Sequence, residues 1–282
     1  MSLSKEDFIR LHQKGKDLRK LIVDTTFWAG SAHIGGAMSM LDMMVMLYHK
    51  YLNIDPADPE KTDRDRFVLS KGHAGVGHAA VLADLGFFDR EWLKEFNLTG
   101  SNLGIHLDRN KVPGVDISTG SLGHGLSISL GLALGARRQE AGWKTWCILG
   151  DGEMNEGSVW EAAMAINHYR ATNLITIVDR NRCMIDGETE SIMGLDPLED
   201  KLAAFGFDVL SIDGHDLNAI DAAFTHAVHA KERPVCIVAN TVKGKSIDFM
   251  EDDYTWHYGG IDSDKVELCK SSIENYYRNI LN

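Results

Sequence analysis

The sequence predicts an α/β domain in which a mostly parallel sheet is covered by helices on both faces. Five short apolar segments have the length of strands, and segments with helical periodicity separate them. This alternation is typical of parallel sheets built from strand–helix–strand units. No low-complexity stretch, internal repeat or proline-rich linker divides the chain, and 44% hydrophobic residues are enough for a substantial core. We therefore expect one domain over residues 1–282.

The first half of the chain is expected to be largely helical. A long helix is predicted over Lys5–Trp28 and a second over Ser39–Tyr51, whose methionine-rich apolar stripe is more typical of core packing than of a cofactor contact. The apolar run Arg66–Ser70 predicts the first strand, and the small residues of Ala74–Leu85 predict the next helix. The glycine- and alanine-rich segment Leu122–Gln139 suits a helix that packs closely on the sheet.

The second half predicts four strands with helices between them. The apolar run Trp146–Leu149 is followed by a helical pattern over Glu156–Arg170 and then by a strand at Leu174–Asp179. Two further strands are predicted at Phe207–Ile212 and Pro234–Ala239, and the helix Leu217–Ala230 is predicted between them.

Two polar side chains follow neighbouring strands in this second half. Gly150-Asp151-Gly152 closes one strand, and Asn181 follows the next strand thirty residues later. Because parallel strands joined by a crossover end at the same sheet edge, we expect Asp151 and Asn181 to lie close together. A lone Gly-Asp-Gly is more often an ordinary turn with a helix cap. In this context, two hard oxygen donors suit Mg²⁺, which binds one or two protein oxygens together with substrate phosphates and water.

Composition excludes several other classes. The net charge of −12 does not favour a nucleic-acid partner. No apolar segment is long enough to span a bilayer, and the N-terminus lacks the apolar core of a signal peptide, so we expect no membrane association and a cytoplasmic location. The four cysteines form no Cys-x-x-Cys pair, which favours free thiols over disulfides or a zinc site.

Several histidines stand beside glycines in predicted loops, where a backbone can approach a ligand closely. Each alone is best explained as a structural histidine, but together they suggest donors and proton carriers for a polyhydroxylated substrate. They are His33, His73, His106, His124 and His257. The histidines on predicted helices receive no role, namely His12, His49, His168, His226 and His229.

These motifs together resemble the transketolase family of thiamine diphosphate enzymes over essentially the whole chain. The resemblance implies a thiamine diphosphate-binding fold in which Asp151, Asn181 and the backbone carbonyl of Cys183 bind Mg²⁺, or Ca²⁺ or Mn²⁺ in its place. The run Glu153-Met154-Asn155-Glu156-Gly157 matches transketolase in particular.

The resemblance also assigns roles to the remaining motifs. It implies that His33, His73 and His106 face the reaction centre and that His257 lies near the diphosphate and the substrate, where these four histidines would bind substrate hydroxyls or move protons. It also implies that Glu156 and Glu161 belong to a proton network between subunits. The expected cofactor contacts are His73, Gly120, Ser121, Leu122, Asp151, Gly152, Glu156, Asn181 and His257. Ile34 and Leu107 replace family prolines, which changes loop stiffness and not side-chain chemistry. His124 replaces a family glutamine, so the resemblance assigns His124 no role.

Complete transketolases are more than twice this length and contain a pyrimidine-binding domain with the activating glutamate. We therefore expect the chain to be the N-terminal subunit of a split transketolase, whose partner in a heterotetramer is a separate C-terminal subunit; a homodimer of this chain alone is the alternative. The expected reaction transfers a two-carbon ketol unit between sugar phosphates, with xylulose 5-phosphate as the first choice of donor.

Three alternatives remain at this stage. The chain could serve another thiamine diphosphate enzyme, such as a deoxyxylulose-phosphate synthase or a 2-oxoacid dehydrogenase component. It could be a non-catalytic α/β binding protein, although the nucleotide fingerprint Gly-x-Gly-x-x-Gly does not follow the first strand. It could also be a degenerate subunit kept for assembly, which intact metal ligands make less attractive.

Overall fold

All five predicted strands form one parallel sheet. The computed structural model describes residues 3–281, and within them the sheet has the order β1-β2-β3-β5-β4. The strands are β1 Arg66–Leu69, β2 Thr145–Gly150, β3 Leu174–Arg180, β4 Asp208–Asp213 and β5 Val235–Asn240. Every neighbouring pair in this order is parallel, and Gly150 of β2 lies opposite Asp179 of β3. The predicted parallel sheet is confirmed.

Helices cover both faces of this sheet. They are α1 Lys5–Ala29, α2 Ile34–Met46, α3 Gly75–Leu85, α4 His124–Arg138, α5 Gly157–His168, α6 Thr189–Ile192, α7 Leu198–Ala204, α8 Leu217–His229 and α9 Ser263–Leu281. A π-helical turn, Leu47–Tyr51, extends α2, and short 3₁₀ segments lie at Gly72–Ala74, Arg90–Glu95, Gly152–Asn155 and Tyr254–His257. Between residues 3 and 281 there is no helix with the length and apolarity needed to cross a bilayer.

Alternating strand residues supply two hydrophobic cores. Ile175 and Ile177 of β3 join the core that contains buried residues of α1, α2, α3, α8 and α9. Leu174 and Val178 join the core beneath α4, α5 and α7. Because successive strand residues point to opposite faces, this alternation matches a sheet that is buried on both sides.

Several helical regions differ from the expectation, and the short helices α6 and α7 were not predicted. Helix α2 begins at Ile34 instead of Ser39, because Gly35 and Gly36 lie within its first turn and all of its residues are buried, so it has no polar face to mark its start. A Cβ atom added to Gly35 would lie 2.6 Å from the Trp256 carbonyl oxygen, which explains the glycine at this close approach. Helix α9 was not predicted, although its buried residues Val266, Cys269, Ile273 and Tyr277 follow helical spacing.

The carboxyl ends of the parallel strands meet the loops that carry the sequence motifs. The Lys71–His73 segment follows β1, Asp151 follows β2, Asn181 follows β3 and Lys243 follows β5. Ligands of open α/β sheets bind at this edge.

Candidate active site

A cavity of about 230 Å³ opens at the carboxyl edge of the sheet. It collects most of the residues that the sequence motifs had singled out, together with several that they had not. Its lining consists of His33, Gly36, Lys71, His73, Gly120, Leu122, Gly150, Asp151, Gly152, Glu153, Asn181, Cys183, Met184, Ile185, Lys243 and His257.

Asp151 is a buried carboxylate held by backbone donors. Its Oδ1 atom accepts a hydrogen bond from Gly152 N at 2.8 Å, and its Oδ2 atom accepts one from Arg182 N at 2.7 Å. Burial raises the pKa of Asp151, as does the nearby Asp179, and the Arg180 guanidinium opposes this effect. A cation beside Asp151 would favour the ionised carboxylate and lower its pKa, so binding of the cation would displace the proton.

Asn181 is oriented by a network behind the cavity. Its Nδ2 atom donates to Ser39 Oγ at 3.2 Å and to Asp179 Oδ2 at 3.4 Å, while its Oδ1 atom accepts from Cys183 N at 3.1 Å. Asp179 is fully buried and pairs with Lys71, whose Nζ atom also donates to the Gly36 carbonyl at 2.8 Å. The network fixes which end of the Asn181 amide is the oxygen.

The predicted metal ligands fit a hard cation that also binds other oxygens. Asp151 Oδ and Asn181 Oδ1 are the donors that Mg²⁺ prefers, and both residues line the cavity. Within residues 3–281, no three His, Cys, Asp or Glu side chains are grouped as a metal site. A metal here would therefore need the Cys183 carbonyl and oxygens from a bound phosphate compound, as the sequence resemblance implies.

Three imidazole rings form one wall of the cavity. The ring centroids of His33 and His73 are 5.0 Å apart, and the His257 ring lies 5.2 Å from each of them. Burial lowers the pKa of His33 to about 4, of His73 to about 2 and of His257 to about 3. The rings are therefore neutral at pH 7, and each can donate from one nitrogen and accept at the other.

His33 contributes a buried ring nitrogen to this wall that has no protein partner among the residues described. The unpaired atom is His33 Nδ1. Buried polar atoms are normally paired, so an unpaired nitrogen in a residue that lines the cavity is consistent with a polar ligand nearby.

The loop before α4 separates this cavity from a neighbouring groove. Gly120 lines both, whereas His106, Ser121 and His124 line only the groove, which has a volume of about 390 Å³. Burial lowers the pKa of His106. A Cβ atom added to Gly120 would lie 2.9 Å from the His106 ring, so the glycine lets this imidazole pack against the loop. His106 and Ser121 are therefore near the cavity and not in its wall.

Glu156 and Glu161 lie outside the cavity. Both side chains are exposed, Glu156 just before α5 and Glu161 within it. Their predicted role between subunits stays a prediction.

Three charged residues of the site were not singled out from the sequence. Lys71 lies two residues before His73 and Lys243 shortly after the last predicted strand, but a lysine in a loop is usually solvated, and only the fold buries them. The buried Glu153 accepts hydrogen bonds from Ser70 Oγ, Gly123 N and Gly150 N and so joins three loops of the site. Burial raises the pKa of Glu153. Its place in the run Glu153–Gly157 was the available signal.

Comparisons with known proteins agree with this geometry. Residues 12–276 match the family described as transketolase, thiamine diphosphate binding domain. A subunit of an apulose-4-phosphate transketolase from Phocaeicola vulgatus is 40% identical over 241 residues, which cover 86% of this chain and 85% of that protein. A 6-deoxy-6-sulfo-D-fructose transketolase subunit from Clostridium is 40% identical over 252 residues, covering 89% of this chain and 92% of that protein.

Solved structures give the same family. Transketolase from Campylobacter jejuni superposes with a TM-score of 0.88 at 29% identity, covering 94% of this chain and 43% of that chain. The chain thus spans about two fifths of that transketolase and most of the length of the two subunits. On these matches, the chain belongs to the transketolase family and contains its thiamine diphosphate binding domain.

Proposed function

We propose that this chain is the diphosphate-binding subunit of a two-subunit transketolase. In this proposal it transfers a two-carbon ketol unit from a ketose phosphate to an aldose phosphate, with xylulose 5-phosphate as the first donor to test. The observation that carries the proposal is the cavity that joins Asp151 and Asn181 to a wall of three neutral imidazoles.

The cofactor would be held from its diphosphate end. Asp151, Asn181 and the Cys183 carbonyl are the residues that would hold Mg²⁺, or Ca²⁺ or Mn²⁺, and the glycine-rich segments at Gly120 and Gly152 leave room for the diphosphate. Thiamine diphosphate, when bound, supplies a carbanion that can attack a ketose and carry the two-carbon fragment.

The protein residues would position the substrate and move protons. Each covalent step of ketol transfer forms or consumes an alkoxide, so donors and acceptors are needed beside the reacting oxygens. His33 and His73 are neutral and their ring centroids are 5.0 Å apart, so each ring can donate a hydrogen bond to a substrate oxygen and accept one from a substrate hydroxyl. His106, in the neighbouring groove, would contact the more distant part of the sugar.

A partner chain is part of the proposal. Two related proteins are named as subunits of transketolases, and the chain covers most of their length. The partner would carry the pyrimidine-binding domain, and two copies of each chain would form a heterotetramer. The exposed Glu156 and Glu161 would then lie at a contact between subunits.

The names of the relatives suggest which donor ketoses to test. One of them acts on apulose 4-phosphate and another on 6-deoxy-6-sulfo-D-fructose, by their names, so these ketoses compete with xylulose 5-phosphate as candidates. The chain and its genomic-neighbour partner are purified together and assayed with each ketose and with ribose 5-phosphate as acceptor. Turnover that requires both chains and thiamine diphosphate supports the proposal, and the donor with the highest kcat/KM identifies the substrate. Binding of the cofactor without turnover of any ketose would contradict ketol transfer and would indicate another thiamine diphosphate-dependent reaction.

A further inference from the structure

His215 lies outside the cavity, in the turn between β4 and α8, with only 9% of its side chain exposed. We propose that His215, as a neutral ring protonated at Nδ1, is a positioning residue that holds the chain segment 241–244 against the cavity through the Val242 amide. The inference deepens the proposed function and rests on it for its chemical meaning, because the segment contributes to the cavity that would bind the cofactor.

The contact with the backbone determines which nitrogen of the His215 ring carries the proton. Val242 N lies 2.9 Å from His215 Nε2. A backbone amide can only donate, so Nε2 must accept and carries no proton. A doubly protonated ring is excluded by the same contact, because both of its nitrogens would be donors. The single proton of the ring is therefore on Nδ1.

The partner on the other side of the ring requires the same tautomer. His215 Nδ1 lies 2.8 Å from Asp42 Oδ2, and the buried Arg19 guanidinium donates to both oxygens of this carboxylate, at 2.9 and 2.8 Å. Although burial opposes it, Arg19 followed by His215 holds the pKa of Asp42 well below its usual range. An ionised carboxylate has no proton to donate, so Nδ1 must be the donor. Two independent contacts thus give one tautomer.

The segment that His215 contacts reaches the cavity from both neighbours of Val242. Thr241 Oγ1 donates to Asp179, whose carboxylate also accepts from the Asn181 amide at 3.4 Å. Lys243, on the other side, lines the cavity. A shift of the Val242 backbone would therefore displace a donor of the network behind the cavity and a side chain of its wall at the same time.

Backbone hydrogen bonds hold the two ends of the segment independently of the histidine. Thr241 N donates to the Arg180 carbonyl at 3.1 Å, and Gly244 N donates to the Gly35 carbonyl at 3.1 Å. Both acceptors are main-chain atoms, whereas Val242 N donates to a side chain. Replacing the histidine should therefore release the middle of the segment and leave its ends in place.

The first test is NMR of the full chain, labelled with ¹⁵N and recorded at pH 7. Long-range proton–nitrogen correlations show which ring nitrogen carries the proton, and side-chain assignment links the ring to its backbone, so this step needs no variant. A nitrogen–nitrogen coupling across the hydrogen bond reports the contact between Val242 and His215 directly. We expect the coupling and a ring protonated at Nδ1 alone. Protonation at Nε2, or at both nitrogens, would overturn the inference.

The second test is amide hydrogen exchange in His215→Phe, which keeps an aromatic ring without nitrogens. The matched control is His226→Phe, because His226 forms a comparable histidine–aspartate pair with Asp208, at 2.7 Å, but is half exposed. We expect exchange at Val242 to accelerate by about tenfold or more relative to the amides of β5 in His215→Phe, and not in the control. Retained protection in His215→Gln, which keeps an acceptor and a donor, supports the inference. Equal acceleration of all amides in His215→Phe would show a merely structural role and would overturn it.

The third test is calorimetric titration of thiamine diphosphate and Mg²⁺ into each variant mixed with the partner chain. We expect the affinity to fall by about threefold or more in His215→Phe and to stay unchanged in His226→Phe. Unchanged affinity in a folded His215→Phe variant would overturn the positioning role. Absence of binding in wild type would instead overturn the proposed function, and the tautomer and the Val242 contact would still stand.

Discussion

Replacing Lys71 by methionine removes the counter-ion of a fully buried carboxylate. The Lys71 and Asp179 side chains are 2% and 0% exposed, so the charge left on Asp179 cannot be hydrated. Lys71 Nζ also donates to the Gly36 carbonyl at 2.8 Å, but this acceptor keeps the Ser39 Oγ contact at 3.1 Å, so the loss comes mainly from the unpaired charge. Methionine keeps much of the side-chain volume, so the change tests the charge more than the packing.

The magnitude follows from the loss of the counter-ion. Removing one partner of a buried ion pair costs about 3–5 kcal/mol. Asp179 keeps donors from Ser39, Thr241 and Asn181, which places this cost near its lower limit. We expect Lys71→Met to reduce the free energy of unfolding by about 3–4 kcal/mol, which corresponds to a Tm lower by roughly 6–8 °C for a chain of this size.

The assay is urea unfolding followed by circular dichroism, with thermal unfolding as a second readout. Lys94→Met is the control, since the Lys94–Glu91 pair is exposed on both sides and should change stability by less than about 1 kcal/mol. The double variant Lys71→Met/Asp179→Asn should recover part of the loss, because no buried charge remains. A loss in Lys71→Met no larger than that of the control would refute the ion-pair reasoning.

Three further predictions concern the site. Asp151→Asn should weaken Mg²⁺-dependent binding of thiamine diphosphate at least about 100-fold in calorimetry, and an affinity within threefold of wild type would contradict its assignment as a metal ligand. Glu153→Gln should lower the free energy of unfolding by about 1–3 kcal/mol in urea, because its carboxylate accepts from three loops; unchanged stability would show that the loops do not depend on it. The pKa values of His33, His73 and His257 are lowered to about 4, 2 and 3 in the folded chain. Between pH 6.5 and 4 the unfolded chain therefore binds more protons than the folded chain, and the free energy of unfolding should fall by up to about 1.4 kcal/mol per pH unit for each ring as the pH is lowered. Thermal unfolding between pH 7.5 and 5 checks this, and a Tm independent of pH over that range would exclude it.

The sequence predicted the parts of the fold that depend on local pattern. The five strands were found within about two residues, because runs such as Leu174–Asp179 are buried on both faces and have few alternatives. The start of α2 was missed because glycines are typical of loops. Gly35 nevertheless lies in the helix, where any side chain would clash with the Trp256 carbonyl. Helix α9 had adequate periodicity and could have been predicted.

The site was predictable where a motif ended a strand and less so where the fold brings distant residues together. Asp151 and Asn181 follow adjacent strands, and parallel pairing alone predicts their proximity. The Lys243–His257 contact joins two loops, and the Lys71–Asp179 pair spans 108 residues. No local pattern indicates these two contacts, since both depend on how the segments at the carboxyl edge of the sheet are packed together.

The most direct test of the central claim is calorimetric titration of thiamine diphosphate into this chain mixed with its partner, with and without Mg²⁺. The proposed site predicts tight binding that requires the metal and is lost in Asp151→Asn. Binding that is absent in the mixture, or that is equally strong without a divalent cation, would contradict the assignment of Asp151 and Asn181 as the residues that hold the cofactor.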